Sequence, residues 1–252
     1  MKRLREYGNP GRKLLRYFLQ KLSVPAFAAL TDLEITGQEN LPKTGPLIVV
    51  GNHFSYIDPV CFVRLLPWQL EFVGGADLAH APYWSRSIPF LWGYHPLYRG
   101  TGATDSIKTS VAILNQRGVL GVFPEAGNWA TVLRPARPGV AFIAAQSGAP
   151  ILPVGLVGLN DVFPSLGIGR RATIQFNIGK PFGPFKVDGN GRERRRQLDE
   201  IGHEIMRHIA EFIPPEKRGH YSDDPEIRAA AKGTEIYPWA DKVEGQVVGV
   251  VN

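Results

Sequence analysis

Five short apolar runs with the character of β-strands restrict the fold of this chain more than any other feature of its sequence. Each run has strand length, contains β-branched residues and is bounded by turn-forming residues. The runs are Leu47–Val50, Leu70–Val73, Val119–Phe123, Ile151–Val157 and Ala172–Ile178. Segments with helical periodicity separate several of them. Strands that alternate with helices predict an α/β fold, in which helices cover both faces of a mixed or parallel sheet.

Three helices are predicted between and after these strands. The spacing of apolar residues predicts one helix that Thr104 or Asp105 caps and Gly118 ends. Proline at the start and glycine at the end predict a second helix over Pro138–Gly148. Apolar residues at spacings of three and four predict a third helix from about Arg192 to Phe212.

The length and composition of the chain fit one domain with short additions. Its 252 residues, 44% of them hydrophobic, can bury one full core. We assign residues 35–215 to a single α/β domain with a mixed, largely parallel central sheet flanked by helices. Residues 1–34 are expected to form an N-terminal amphipathic helical segment. Residues 216–252, which show no strong period, are expected to form a tail wrapped on the domain.

The net positive charge of the chain is concentrated at its N terminus. Residues 1–21 contain seven lysines and arginines and one glutamate, and they account for the whole formal charge of +6. A charge confined to one terminal segment does not favour a nucleic-acid partner.

The single cysteine, Cys61, fits a reducing compartment and excludes an intrachain disulfide. A cytoplasmic location is therefore expected.

The basic N-terminal segment also contains aliphatic and aromatic residues, which continue as far as Leu30. Such a helix is typical of the interface of an anionic bilayer, where cations meet headgroups and aromatic rings lie below them. No run of about 18 uncharged apolar residues occurs, so a transmembrane span is not expected. We predict peripheral or monotopic attachment to the cytoplasmic face of a membrane. The alternative is a helix packed on its own domain.

The turn after the first predicted strand carries the residues best suited to catalysis, because sites collect at strand ends in α/β sheets. It contains His53 and, five residues later, Asp58. Asp58 followed by Pro59 is also typical of a helix start, and Ser55 with Asp58 has the spacing of a capping box. A tight turn would instead bring the Asp58 carboxylate to the imidazole. That contact would fix the tautomer and leave the other ring nitrogen free to accept a proton.

Three further blocks follow the His53 turn, and the four blocks in this order resemble the glycerolipid acyltransferase family that includes 1-acylglycerol-3-phosphate acyltransferase. The resemblance covers about residues 35–180. The first family motif, Asn-His-x4-Asp, matches Asn52, His53 and Asp58 in full. The other matches are Gly93, Leu97, Tyr98 and Arg99 in the second motif, Phe123, Pro124 and Glu125 at the start of the third, and Pro150, Ile151, Leu152, Pro153 and Val154 in the fourth.

The third motif departs from the family pattern after its glutamate. The family sequence is usually Phe-Pro-Glu-Gly-Thr-Arg, whereas Ala126, Gly127, Asn128 and Trp129 follow Glu125 in this chain. The family arginine is therefore absent. A substitute is expected further along the chain, and the candidates are Arg134 and Arg137.

The resemblance implies a reaction in which His53 removes the proton of a lipid hydroxyl as that oxygen attacks an acyl thioester. Asp58 would hold and stabilise the imidazolium that forms. The acyl donor would be acyl-CoA or acyl carrier protein, and no cofactor and no covalent acyl-enzyme is required. No step needs a thiolate either, so we expect Cys61 to be a small buried residue. His203 and His208 are five residues apart and cannot share one helix face, so no metal site is expected.

The resemblance also implies four substrate-binding positions. Arg99 would bind an anionic headgroup, for which guanidinium geometry is suited. Glu125 would accept hydrogen bonds from the hydroxyls of the acceptor or brace the site. A backbone amide near Ala126 or Gly127 would meet the developing oxyanion. The alternatives are that Arg99 is a surface ion-pair partner and that Glu125 caps a strand end.

Several functional alternatives stay open at this point. The acceptor is expected to be a lysophospholipid such as 1-acylglycerol-3-phosphate, with glycerol phosphate, an amino-lipid or a glycolipid as alternatives. A non-catalytic membrane-binding module and a thioester hydrolase are rivals from other classes. The hydrolase would use His53 and Asp58 to activate water. The intact His53, Asp58 and Glu125 set argues against the first rival, and the lack of a nucleophilic serine in a Gly-x-Ser-x-Gly sequence argues against the second. The sequence leaves the oligomeric state open.

Overall fold

The centre of the molecule is a seven-stranded sheet, seen in a computed structural model that describes residues 12–75, 87–97, 103–236 and 238. The strands are β1 (Thr31–Thr36), β2 (Leu47–Gly51), β3 (Glu71–Gly75), β4 (His95–Leu97), β5 (Val119–Val122), β6 (Ile151–Val157) and β7 (Ala172–Ile178). Their order in the sheet is β1-β7-β6-β2-β5-β3-β4. β6 and β7 are antiparallel, and all other neighbouring pairs are parallel. The predicted mixed, largely parallel sheet is thus confirmed.

Helices cover both faces of this sheet. They are α1 (Lys13–Leu30), α2 (Asp58–Leu65), α3 (Ser87–Trp92), α4 (Ala103–Asn115), α5 (Pro138–Ser147), α6 (Val162–Gly167), α7 (Gly191–Ala210) and α8 (Pro225–Ala231). The three predicted helices correspond to α4, α5 and α7. Gly148 ends α5 in the left-handed conformation, with φ of 61°, and its N–H donates to the Ala144 carbonyl.

Strand β2 is buried on both faces and divides the core into two apolar clusters. Leu47 and Val49 belong to the cluster beneath α2, whereas Ile48 and Val50 belong to the cluster beneath α4, α5 and α7. Successive side chains of a strand point to opposite faces, so both registers must be apolar when both faces are covered. This explains why β2 is an uninterrupted apolar run and why the sequence predicts it so clearly.

Two strands were not predicted, and one of them moves a domain boundary. β1 carries Asp32 and Glu34, pairs only with β7 at the edge of the sheet and exposes every second residue. Its sequence therefore lacks an apolar run. The boundary predicted between residues 34 and 35 falls inside β1. β4, the second missed strand, has only three residues.

The N-terminal helix α1 is part of the domain rather than a separable segment. Leu19, Phe27 and Leu30 pack against the core cluster beneath α2. Arg16, expected to belong to a surface cluster of cations, is instead buried in an ion pair with Glu71. The rest of the basic segment, residues 1–11, lies outside the described residues. Within the described part of the chain, no helix combines the length and the apolar character needed to cross a membrane.

The segment after α7 is packed on the loop that follows β5, so residues 216–236 lie on the domain. The Leu133 N–H donates to the Lys217 carbonyl at 2.9 Å, and the His220 N–H donates to the Leu133 carbonyl at 3.2 Å. A Cβ on Gly219 would lie 2.4 Å from the same carbonyl oxygen, so only glycine permits this approach. The boundary predicted at residue 216 therefore divides a continuous packed unit.

The packing of α1 predicts that deleting residues 1–30 destabilises the domain. The deletion leaves Glu71 buried without its guanidinium partner, and breaking a buried ion pair in this way costs about 3–5 kcal/mol. Urea denaturation should show a lower free energy of unfolding for the truncated protein. Glu71→Gln in the truncated protein should recover part of the loss, because it removes the unpaired charge. An unchanged unfolding midpoint after the deletion would show that α1 is separable from the domain.

Candidate active site

His53 and Asp58 lie together beyond the carboxyl end of β2. His53 Nδ1 is 2.9 Å from Asp58 Oδ2, and the same oxygen accepts the Ser55 N–H at 2.8 Å. Because this oxygen already acts as an acceptor, we assign the proton of the neutral ring to Nδ1, which leaves Nε2 free to accept one. Asp58 is only 1% exposed, whereas the His53 side chain is 16% exposed. The pair thus combines a shielded carboxylate with an imidazole that reaches the surface.

The turn from His53 to Asp58 leads into α2, but the Asp58 side chain binds the turn itself rather than the helix. Ile57 precedes the first helical turn of α2, and Asp58 is its first residue, with Pro59 next. The Asp58 side chain points back to the Ser55 N–H, which is one half of the predicted capping box. The helix thus starts at Asp58, as the alternative prediction has it, but the Asp58 carboxylate is bound by the turn before the helix and by His53.

Two opposing effects act on the pKa of the Asp58 carboxyl, and burial is the larger. Burial raises its pKa, because removal from water disfavours the charged form, while hydrogen bonds from His53, Ser55 and Phe54 oppose that shift. An imidazolium formed at His53 would therefore find a charge partner that water does not screen.

Two buried side chains hold the backbone at Asn52 and His53. The Asn52 Nδ2 donates to the Leu156 carbonyl at 2.9 Å, and its Oδ1 accepts the Leu156 N–H at 2.7 Å, which ties the end of β2 to β6. On the other side, the His53 N–H donates to Glu125 Oε1 at 2.8 Å, which ties it to the residues after β5. The base is thereby attached to both neighbouring strands.

Glu125 faces into the protein and pairs with Arg134. Its Oε2 accepts from Arg134 Nε at 3.1 Å and from the Arg134 backbone N–H at 3.2 Å, and both side chains are buried. Burial raises the pKa of Glu125 to about 7 against the opposing charge of Arg134. Of the two roles predicted for Glu125, the geometry fits the bracing role, because an inward carboxylate does not face the hydroxyls of an acceptor.

Arg134 fills the space beneath the altered third motif. Its Nη2 donates to the Gly127 carbonyl, and its guanidinium carbon lies 3.8 Å from the centroid of the Trp129 ring. Sequence reasoning gave Arg134 and Arg137 as substitutes for the missing family arginine. Arg134 is buried, so it does not reach a headgroup in this structure, and Arg137 donates to the Glu235 carbonyl.

Ala126 adopts a conformation that usually requires glycine. Its φ is 58°, in the left-handed region, at the position where the family motif has glycine. The Ala126 N–H donates to the Phe123 carbonyl at 3.0 Å. The predicted oxyanion contact at Ala126 is therefore not supported, and that prediction now rests on the Gly127 amide. A Cβ on Gly127 would lie 2.1 Å from the Trp129 ring, so glycine is needed there for packing.

An aromatic stack that the sequence reasoning missed supports the imidazole. The Phe123 ring lies 4.4 Å from the His53 ring and 5.0 Å from the Phe62 ring, measured between centroids. Gly51 makes room for Phe62, because a Cβ there would lie 2.8 Å from the ring. The sequence signal that could have indicated this contact is the place of Phe123 as the first residue of the third motif.

Cys61 is fully buried, and burial raises the pKa of its thiol well above the usual value, as expected for a packing residue.

The second motif is only partly within the described residues. Gly93, with φ of 82°, forms the turn into β4, and β4 ends at Leu97. Tyr98 and Arg99 lie outside the described residues, so the predicted headgroup contact at Arg99 has no geometry here.

A cavity of about 260 Å³ lies beside Asp58 at the carboxyl ends of β2 and β6. Its walls are partly apolar and partly polar, and they include Phe54, Asp58, Thr131, Leu156, Asn160, Asp161, Ile213 and Lys217. Clefts of this kind at strand ends are common ligand sites in α/β sheets.

Among the described residues, no cluster of three His, Cys, Asp or Glu side chains could hold a metal ion.

Comparisons with known proteins point to one family. A family model described as Acyltransferase matches residues 32–157, a range that includes His53, Asp58 and Glu125. A chloroplastic 1-acyl-sn-glycerol-3-phosphate acyltransferase of Brassica napus is 27% identical over 199 residues, which are 75% of this chain and 56% of that protein. A protein of the same name from Bacillus subtilis is 24% identical over 152 residues, 59% of this chain and 73% of that protein. The chain thus spans little more than half the length of the plant relative.

A solved structure has the same fold. It is the crystal structure of the 1-acyl-sn-glycerophosphate acyltransferase PlsC from Thermotoga maritima, with a TM-score of 0.53 and 23% sequence identity. The similarity covers 77% of this chain and 78% of that one. At this level of identity the comparison supports the single α/β domain and its topology.

The left-handed conformation of Ala126 predicts that Ala126→Gly stabilises the protein. An L-residue in this region costs about 1–2 kcal/mol, part of which the greater freedom of glycine in the unfolded chain offsets. A net gain of about 1 kcal/mol would raise Tm by about 2–4 °C in a chain of this size. The matched variant Gly127→Ala should lower Tm, because its methyl group meets the Trp129 ring. A lower Tm for Ala126→Gly would contradict the assigned backbone conformation.

Proposed function

The chain belongs to the acyltransferase family, and from that premise we propose that it moves a fatty acyl group from an acyl thioester to the hydroxyl of a lysophospholipid. The observation that carries the proposal is the His53 imidazole, whose Nδ1 is held 2.9 Å from the buried Asp58 carboxylate. The names of the Brassica napus and Bacillus subtilis relatives support 1-acylglycerol-3-phosphate as the first acceptor to test.

The reaction needs one base and no covalent acyl-enzyme. His53 Nε2 accepts the proton of the acceptor hydroxyl while that oxygen attacks the thioester carbonyl. The tetrahedral intermediate then collapses, the carbon–sulfur bond breaks, and the imidazolium returns its proton to the departing thiolate. General-base assistance of this kind contributes on the order of 10²–10⁴ in rate. The products are the acylated lipid and a free thiol.

Asp58 stabilises the imidazolium during this cycle. Its Oδ2 accepts both the His53 ring N–H and the Ser55 N–H, so it fixes the ring and the turn together. Glu125 and Arg134 act one step further away, because Glu125 binds the His53 backbone rather than its ring. Their role in this proposal is to keep the base at the end of β2.

We assign the substrates from the resemblance and from the cavity beside Asp58. Arg99 would bind the anionic headgroup of the acceptor, and the Gly127 amide would meet the oxyanion. The cavity beside Asp58 offers space for part of the thioester donor, and both acyl-CoA and acyl carrier protein are suitable donors. The altered third motif keeps glycerol phosphate, amino-lipids and glycolipids in the panel of acceptors.

The proposed enzyme works at a membrane surface. The outer side of α1 and the adjoining α3 together expose apolar side chains, among them Leu14, Phe18, Leu22 and Phe90. Cations lie on the same helix, and the Arg12 guanidinium donates to the Phe90 carbonyl, which joins α1 to α3. An apolar patch bordered by cations fits the cytoplasmic face of an anionic bilayer, where a lipid acceptor resides. We call this patch the membrane-facing surface.

Thiol release with a panel of acceptors tests the proposal. Wild-type protein should release free thiol from an acyl thioester only when a lysophospholipid is present, and the acylated lipid should appear in equal amount. Release without an acceptor would identify a thioester hydrolase. No release with any donor and acceptor would favour a non-catalytic membrane-binding module.

Substitutions in the catalytic pair should separate the two roles. His53→Ala should lower transfer by about 10²–10⁴ in rate. Asp58→Asn should have a smaller effect, because an amide oxygen can accept the same two hydrogen bonds but lacks the charge. His208→Ala on α7 is the matched control and should be active. Wild-type turnover by a folded His53→Ala protein, with folding checked by circular dichroism, would end the general-base proposal.

A further inference from the structure

Helix α1 departs from the usual arrangement for a helix on a protein surface, because it buries a charged side chain and exposes several apolar ones. Arg16 is 3% exposed, whereas Leu14, Phe18 and Leu22 are 66%, 59% and 68% exposed. A surface helix in water buries its apolar side chains and exposes its charges. Here a guanidinium points into the domain beside apolar side chains of the same helix, while other apolar side chains point out. The buried arginine therefore needs an explanation apart from solubility or attraction to a headgroup.

The Arg16 guanidinium is bound by three different elements of the domain. It pairs in a two-point contact with Glu71 at the start of β3, with nitrogen–oxygen distances of 2.5 and 2.9 Å. Its Nε donates to the Trp92 carbonyl at the end of α3 at 2.8 Å, and Nη2 donates to the Gly93 carbonyl at 3.2 Å. Arginine suits this position because its planar fork can make several fixed contacts at once, which an ammonium cannot.

Glu71 extends the contact to β4. Its second oxygen lies 3.0 Å from His95 Nε2, and His95 is the first residue of β4. Burial disfavours the charge on Glu71, but hydrogen bonds from His95 and Arg16 and the Arg16 charge outweigh this effect and lower the pKa of the carboxyl. The carboxylate thus stays ionised and completes the network. We call Arg16, Glu71 and His95, with the Trp92 and Gly93 carbonyls, the α1 clamp.

The α1 clamp joins two parts of the proposed enzyme that have different tasks. One part is the membrane-facing surface of α1 and α3. The other is the second motif, whose turn begins at Gly93 and whose strand begins at His95, and which leads to the residue proposed to bind the headgroup. Both the Gly93 carbonyl and the His95 ring belong to the clamp. A lipid acceptor meets both parts at once, because its chain lies in the bilayer while its headgroup enters the site.

We propose that Arg16 is a positioning residue that fixes the second motif relative to the membrane-facing surface, so that an acceptor in a bilayer is presented to His53. The inference rests on the proposed function for its substrate, and on the clamp contacts for its mechanism. It assigns Arg16 no contact with substrate. Loss of the clamp should impair use of an acceptor embedded in a bilayer and spare both membrane binding and the chemistry.

The test compares two forms of acceptor and three variants. The main variant is Arg16→Met with Glu71→Gln, because Arg16→Met alone leaves a buried unpaired carboxylate and is expected to fold poorly. Arg16→Lys is the conservative variant. Lys21→Gln is the matched control, since Lys21 is an exposed cation on the same helix without a contact to Glu71. Each protein is tested with a monodisperse short-chain lysophospholipid, with the same headgroup in anionic vesicles, and for sedimentation with those vesicles.

The double variant should sediment with vesicles and keep wild-type kcat on the monodisperse acceptor, while its rate on the vesicle-borne acceptor falls about tenfold, a typical size for coupling between two sites. Arg16→Lys should give an intermediate loss. Lys21→Gln should weaken sedimentation without changing the rate per bound enzyme. Equal losses on both acceptors, or no loss on either, in a protein shown to be folded, would overturn the positioning role.

Hydrogen exchange provides a readout that does not depend on turnover. Addition of anionic vesicles to wild-type protein should slow amide exchange over residues 93–97, and the double variant should lose that response. If wild-type protein shows no change there on vesicle binding, the inference fails. If the wild type transfers acyl groups to no acceptor yet shows the exchange response, the proposed function fails while the clamp stands.

Discussion

The backbone at the end of β2 is fixed by two buried side-chain contacts, and the rest of the site depends on them. The Asn52 amide is bound to Leu156 on β6, and Glu125 binds the His53 N–H from the β5 side. These contacts are shielded from water, so each lost bond would leave a buried polar group unsatisfied. A strand that stops pairing at this point would otherwise leave its last residues free to move. The turn that brings Asp58 to the imidazole begins from this fixed point.

Much of the fold follows from the sequence because the central strands are buried on both faces. Both registers of β2 must then be apolar, and an uninterrupted apolar run is easily recognised. The same reasoning does not find β1, because this strand lies at an edge, carries Asp32 and Glu34 and exposes every second residue. Its alternation of acidic residues with Leu33 and Ile35 is a short signal, and its stability comes from pairing with β7, which is about 140 residues away along the chain.

The sequence predicts the contacts of the site between residues that are close together in the chain. It does not predict contacts between residues that are far apart. His53 and Asp58 are five residues apart in one turn, and their spacing together with the ordered motifs indicated the contact. The partner of Glu125 is Arg134, in a loop without periodicity, and only the folded chain shows that the two meet. Arg16 is the strongest case. In the sequence it is one of seven N-terminal cations, and its burial depends on Glu71, 55 positions further along.

The central claim is that His53 acts as a base through Nε2 because Asp58 holds its Nδ1. The most direct test is ¹⁵N NMR of protein labelled in its histidine rings, with the His53 signals assigned by their loss in a His53→Gln variant. The resonances of the neutral ring should show a protonated Nδ1 and an unprotonated Nε2, because Asp58 Oδ2 acts as the acceptor. The opposite tautomer, with the proton on Nε2, would contradict the account, since no lone pair would then be available to take the acceptor's proton.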